Sequence, residues 1–405
     1  MTSAARTFVS VMGRFHAFDL ARELDRRGRL AGLFTSYPTS TLARFGLDPA
    51  NAQTLPWVEV AARALRRTSP RRAAALEPWF ATQFDRWVAL ALHDDGDAFI
   101  GWSGMCMASL RRAKDLGLAT FVERGSAHIE AQRDLLAEEF ELQGGRAALP
   151  HPSTITRELG EYTLADHIVV PSQFALRTFV ERGVPREKLL VNPYGVDLSA
   201  FAPPEVEAPG FRVLFCGRAS VQKGLVYLLD AFERFQAPDA ELWIQGAVED
   251  DVRELERRTT DERVRWLGHR PQGALPSVYR DAHVLVLPSI QDGYGLVVPQ
   301  AMACGLPCIV SANTGTADLV RHGVDGFVVP IRSSDSILAH LEELYEDRAR
   351  RAELGRNART RVESGHGWSD YGRRAAELVD AAVEARAPLG PRGVVASDVT
   401  LREAV

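Results

Sequence analysis

Short, almost unbroken apolar runs alternate along the chain with stretches whose apolar residues recur every three or four positions. The first kind reads as strands covered on both faces, the second as the helices that cover them. The series opens with TFVSVMG and FDLARELDRRG, a strand, a loop at Gly13 and a helix closed by Gly28. Further strands are predicted at AFIGW, ATFVER and HIVVPS. Residues 198–210, LSAFAPPEVEAPG, carry prolines and no periodicity, and are the predicted linker. A second series then follows: RVLFCG, AELWIQG, VRWLG, AHVLVLPS, PCIVS and GFVV. The pattern predicts an α/β protein of two doubly wound, Rossmann-like domains facing across a cleft. Ligands in such sheets sit beyond the carboxyl ends of the strands. The expected units are residues 1–200, residues 201–367, a helix over 368–386 and a mobile tail over 387–405. Trp368, Tyr371, Ala375, Leu378, Val379 and Ala382 form one stripe on that helix, which is expected to pack back toward the first domain.

Composition narrows the classes. The 405 residues are 46% hydrophobic and 25% charged, with a net charge of −5 that gives no reason to expect sequence-independent nucleic-acid binding. No apolar run approaches the roughly 18 residues of a membrane span. The opening MTSAARTFVSVMG lacks a signal-peptide pattern, so a cytoplasmic protein is expected. Cys106, Cys216, Cys304 and Cys308 offer no second Cys/His pair for zinc and read as packing residues. Only Lys114, Lys188 and Lys223 among the 48 basic residues are lysine, which reads as codon bias. The basic cluster ARALRRTSPRRA, 62–73, reads as a solvated loop between helices; the sharper reading is contact with a phosphate-bearing acceptor or the inner face of an anionic membrane. Asp95 and Asp97 in HDDGDAF form a DxD pattern, but they precede a strand, as a solvated turn does.

Two stretches carry candidate chemistry. In FCGRASVQKGLVYLLDAF a strand ends at Gly217, a loop bears Arg218 and Lys223, and Leu225, Leu228, Leu229 and Phe232 mark the inner face of a helix. Free backbone N–H groups and a helix dipole favour an anion there, and two cations suit a diphosphate. In SIQDGYGLVVPQAMACGLP, Gly293 and Gly295 let backbone amides turn into the cleft, Pro299 suits a first helical turn, and Gln300 lies at a helix start.

With GRASVQKG, PSIQDGYGLVVPQAMACGLPCIVSANTGTADLVRHGVDGFVV and ADHIVVPSQFALRTFVERGVPREKLLVNPYGVDLSAF, the chain resembles glycosyltransferase family 4 over roughly residues 5–385. These are retaining enzymes of the two-Rossmann GT-B architecture that use nucleotide-diphosphate sugars. The resemblance puts Arg218 and Lys223 on the donor diphosphate, Asp292 on donor-sugar hydroxyls and Gln300 on the ribose. It lines the sugar and phosphates with amides from Gly293, Tyr294, Gly295, Leu296 and Val297 to Val298. Gly268, His269 and Arg270 border the base, and Gly13 and Gly217 lie under the phosphates. For the family's first-domain histidine the best match is His128, with His16 on the other suitable loop and Glu123 and Arg124 behind. The implied mechanism is front-face attack with no metal or other cofactor, and the partners are a nucleotide-sugar donor and a hydroxyl acceptor.

Two departures stand out, because the family places glutamate at both 292 and 300. Aspartate retracts the carboxylate by ~1.5 Å, and glutamine keeps an acceptor oxygen while losing the charge. The competing reading is a catalytically silent subunit that binds nucleotide sugar or a partner transferase. A Rossmann oxidoreductase is excluded for want of GxGxxG and its ribose-binding acid.

Overall fold

The computed structural model describes residues 4–144 and 149–386, so the tail expected from 387 onward lies outside the described residues. Seven strands build the first sheet: β1 Thr7–Val11, β2 Leu30–Thr35, β3 Ala52–Thr54, β4 Ala98–Trp102, β5 Ala119–Glu123, β6 His167–Val170 and β7 Leu189–Val191. Six build the second: β8 Phe211–Cys216, β9 Ala240–Gln245, β10 Val264–Gly268, β11 Val284–Leu287, β12 Cys308–Ser311 and β13 Gly326–Val329. Every pairing is parallel, in the orders β3-β2-β1-β4-β5-β6-β7 and β10-β9-β8-β11-β12-β13. In both sheets the order reverses direction at the first strand, β1 or β8, and the crevice beside that switch point is where α/β sheets bind ligands.

The central strands β1, β4, β5 and β11 are buried at every position, as their unbroken apolar runs require. The two carboxyl edges face each other. The helix Trp368–Ala385 returns to the first domain, where Tyr371, Ala375 and Val379 are buried. Arg29 Nη1 bonds Asp380 Oδ1 at 2.5 Å, and Arg374 Nη2 bonds the Pro193 carbonyl at 2.8 Å.

One local expectation is corrected. The basic cluster is not a loop: helices Pro56–Thr68 and Pro70–Ala91 leave only Ser69 between them. Pro70 opens the second helix, where a missing N–H costs nothing, so the proline that suggested a break is a start signal.

Candidate active site

The loop after β8 is pinned by glycines. Gly224 has φ +66°, and a Cβ there would lie 2.0 Å from the Pro288 carbonyl oxygen. No other residue fits both the angle and the approach. This holds the short turn Val221–Lys223 against the loop that follows β11. Lys223 Nζ consequently donates to Asp292 Oδ2, with both side chains mostly buried, 16% and 15% exposed. Arg218 is placed differently: it is 69% exposed, 3.8 Å from Glu249.

Asp292 is fixed by its backbone, which donates to Asn313 and accepts from Gly315 at 3.0 and 2.8 Å. The carboxylate that the resemblance puts on donor-sugar hydroxyls has one oxygen engaged by Lys223. The shorter aspartate thus holds the lysine at the loop. Gln300 lies on the helix Val297–Ala303, and its Oε1 accepts the hydroxyl of fully buried Tyr279 at 3.1 Å. One lone pair of that oxygen remains for a ligand.

The loop also touches the first domain. A Cβ on Gly293 would lie 2.2 Å from the Gly125 carbonyl oxygen and 2.4 Å from Ser126 Cα. Ser172 donates to the Gly293 carbonyl at 2.8 Å, and Gln291 Nε2 reaches Ser126 Oγ at 2.6 Å. Tyr294 sends its ring into the first domain's core, where its hydroxyl donates to the Tyr194 carbonyl at 3.0 Å. The amides of Leu296 and Val297 stand at the helix start beyond Gly295, which has φ +85°. Gly268 ends edge strand β10 and accepts from Gln245 Nε2 at 2.7 Å, with His269 and Arg270 exposed beyond it.

In the first domain Gly13, with φ +99°, donates to Ser36 Oγ and accepts from Thr35 Oγ1, each at 2.9 Å. Of the two histidines, His16 is the one on the cleft. Its Nε2 is 3.0 Å from Glu123 Oε1, and its ring lies 3.9 Å from that of Tyr194. His128, the favoured match, points elsewhere: it caps the helix Ile129–Leu142 through Nδ1, and its ring packs on Tyr162 and Phe179. Burial, helped by Arg182 and Arg124, pushes its pKa down to about 4. A histidine at the end of a strand-to-helix loop cannot be told by spacing from a helix cap, and here the cap takes it. Arg124 is likewise turned inward, bonded to the Ala127 carbonyl, Glu158 and Gln132.

Two cavities flank the loop Gly13–Phe15. One, about 640 Å³, is lined by Gly13, Tyr37, Met105, Arg218 and Glu249. The other, about 880 Å³, is lined by His16, Arg22, Leu296, Gln300 and Trp368. Arg14 and Phe15 border both. Phe15 has φ +42°, a strained angle for a bulky residue, and stands exposed between them. Among the described residues, no three His, Cys, Asp or Glu side chains gather as a metal-holding group. Asp95 and Asp97 lie before β4, at the strand end away from the cleft, where Asp97 accepts the Arg6 amide at 2.8 Å.

Residues 201–361 match the family model described as glycosyl transferases group 1. That stretch lies in the second domain, which is thus similar to group 1 glycosyl transferases. A D-inositol 3-phosphate glycosyltransferase of Pseudarthrobacter chlorophenolicus is 29% identical over 58% of this chain and 60% of its own length. A UDP-Gal:alpha-D-GlcNAc-diphosphoundecaprenol alpha-1,3-galactosyltransferase of Escherichia coli is 28% identical over 44% of this chain and 50% of its own. The chain therefore spans between half and 60% of the length of these two relatives. HepE of Anabaena, solved with UDP, superposes over 93% of this chain and 100% of its own with a TM-score of 0.69 at 17% identity. Sucrose-phosphate synthase of Thermosynechococcus elongatus covers 94% and 100%, with a TM-score of 0.65 at 20% identity. At those identities the likeness is one of fold, and that fold is the GT-B pair of Rossmann-like domains. Among the described residues no helix is long and apolar enough to cross a membrane.

Proposed function

We propose that the chain transfers a sugar, with retention, from a nucleotide-diphosphate sugar to an acceptor hydroxyl by a metal-independent, front-face mechanism. The observation that carries this reading is the partly buried Lys223–Asp292 pair, set against the Gly293 loop inside the matched domain. Lys223 and Arg218 take the donor diphosphate, and Gln300 takes the ribose. As the anomeric carbon–oxygen bond to phosphate breaks, negative charge builds on the leaving oxygen. Lys223, Arg218 and the amides after Gly295 stabilise that charge. The acceptor oxygen bonds the anomeric carbon from the same face, and its proton passes to the leaving phosphate. Glu123 holds His16 at the cleft wall; with one oxygen on the imidazole and 2% exposure it does not serve as a nucleophile. Double displacement would require such a carboxylate. The acceptor enters through the cavity lined by Tyr37 and Met105.

The test is NMR of the first-formed linkage, made with excess EDTA present. The donor's anomeric configuration should be kept and turnover should persist. Inversion, or loss of turnover restored by magnesium or manganese, would overturn the reading.

A further inference from the structure

The helical hairpin beside the cleft carries a surface that the transfer reaction does not use. Along the helix Pro56–Thr68, Trp57, Val60, Ala64 and Arg67 recur at helical spacing on one exposed face. Along the helix Pro70–Ala91, Arg72, Leu76 and Trp79 do the same. The rings of Trp57 and Trp79 meet edge to face at 6.0 Å, yet they are 46% and 49% exposed. Pairing two tryptophans across a hairpin and leaving both half in water is costly for an element with no partner.

The charge on this hairpin runs against the rest of the chain. Residues 60–76, VAARALRRTSPRRAAAL, hold five arginines and no acid in a protein of net charge −5. Arg63 pairs with Glu59 at the flank, while Arg67, Arg71 and Arg72 stand exposed at the hairpin tip. Half-exposed tryptophans and a basic tip about 15 Å farther along the same hairpin, at ~1.5 Å per residue, match a hairpin lying along the boundary between lipid headgroups and acyl chains, where the rings sit at headgroup depth and the guanidinium groups meet phosphates. The opposite sides of the same helices, including Val58, Ala62, Ala74 and Phe80, line the cavity that opens at Gly13 and Arg218.

We propose that the outer face of this hairpin docks the protein on an anionic bilayer, through Trp57, Trp79, Arg67, Arg71 and Arg72. Docking stands apart from the transfer reaction; only its consequence, that the acceptor cavity opens next to the lipid surface, rests on that reading.

The test is sedimentation of the full chain with vesicles of phosphatidylcholine, with and without about 30 mol% phosphatidylglycerol. The protein should pellet with the anionic vesicles and remain in solution with the neutral ones, and added salt should release it. Arg67→Ala, Arg71→Ala and Arg72→Ala together should weaken binding roughly 100-fold, about fivefold per arginine. Trp57→Ser with Trp79→Ser should weaken it roughly tenfold and abolish the quenching of tryptophan fluorescence by brominated acyl chains. Parental thermal melting and donor turnover in both variants would show that only docking was lost. Equal partition into neutral and anionic vesicles, or parental binding by the arginine variant, would overturn the proposal.

Discussion

Lys223→Ala should lower donor turnover roughly 100- to 1,000-fold, the range for removing a group that stabilises transition-state charge. Two effects add here. A donor diphosphate would lose its partly buried cation, and Asp292, 15% exposed, is left without the lysine at the same spot. Asp292→Asn in the Lys223→Ala background removes that stranded charge and should recover part of the loss. Arg218→Ala should cost less, about tenfold, because a 69% exposed guanidinium is well screened. Steady-state kinetics on the four proteins checks the order. Equal losses for Lys223→Ala and Arg218→Ala would place the leaving group farther out, over the Arg218–Glu249 side.

Gly293→Ala should reduce turnover roughly 100-fold while leaving free-nucleotide affinity unchanged. The new methyl group would meet backbone of the opposite domain, at 2.2 Å from Gly125 O and 2.4 Å from Ser126 Cα. Backbone atoms in two packed loops cannot rotate aside, so the loops must separate by about 1 Å, a displacement of the size that costs 10²-fold in well-aligned sites. The proposed nucleotide contacts, Lys223 and Gln300, both lie within the second domain and move with it. Kinetics together with calorimetric titration of a nucleoside diphosphate checks the split. Parental turnover in Gly293→Ala would mean that catalysis does not need this contact.

The same loops show why part of the site was legible from residue order and part was not. Near-continuous apolar runs such as RVLFCG and AHVLVLPS mark buried parallel strands, and parallel strands must cross over on helices. The two sheets and the Arg218–Lys223 loop follow from that local pattern. The Lys223–Asp292 bond joins residues in different crossovers, brought together by the approach of Gly224 to Pro288. Spacing in the chain carries no record of it. The resemblance gave Tyr294 an amide's role only, and nothing in the residue order shows that its side chain belongs to the other domain's core. Gln291, hidden beside Asp292, bridges to Ser126 and accepts from Gln222 at 3.0 Å, with no motif to announce either bond. His16 and His128 both follow strands at the cleft edge. The difference between them is three-dimensional: Glu123 and Tyr194 hold one at the cleft wall, while a helix N-terminus claims the other.

Calorimetric titration with uridine, guanosine and adenosine diphosphates, on the parent and on Gln300→Leu, asks whether the second domain holds a nucleotide between Lys223 and Gln300. One of the three diphosphates should bind the parent one-to-one. Gln300→Leu, which leaves a ribose hydroxyl and the Tyr279 hydroxyl unpaired, should weaken that binding by about 1–3 kcal/mol, roughly 5- to 150-fold. Gln300→Glu, which restores a charged acceptor of nearly the same shape, should hold or tighten it. Failure of all three nucleotides to bind the parent, or identical affinity in Gln300→Leu, would mean that no nucleotide sits between Lys223 and Gln300.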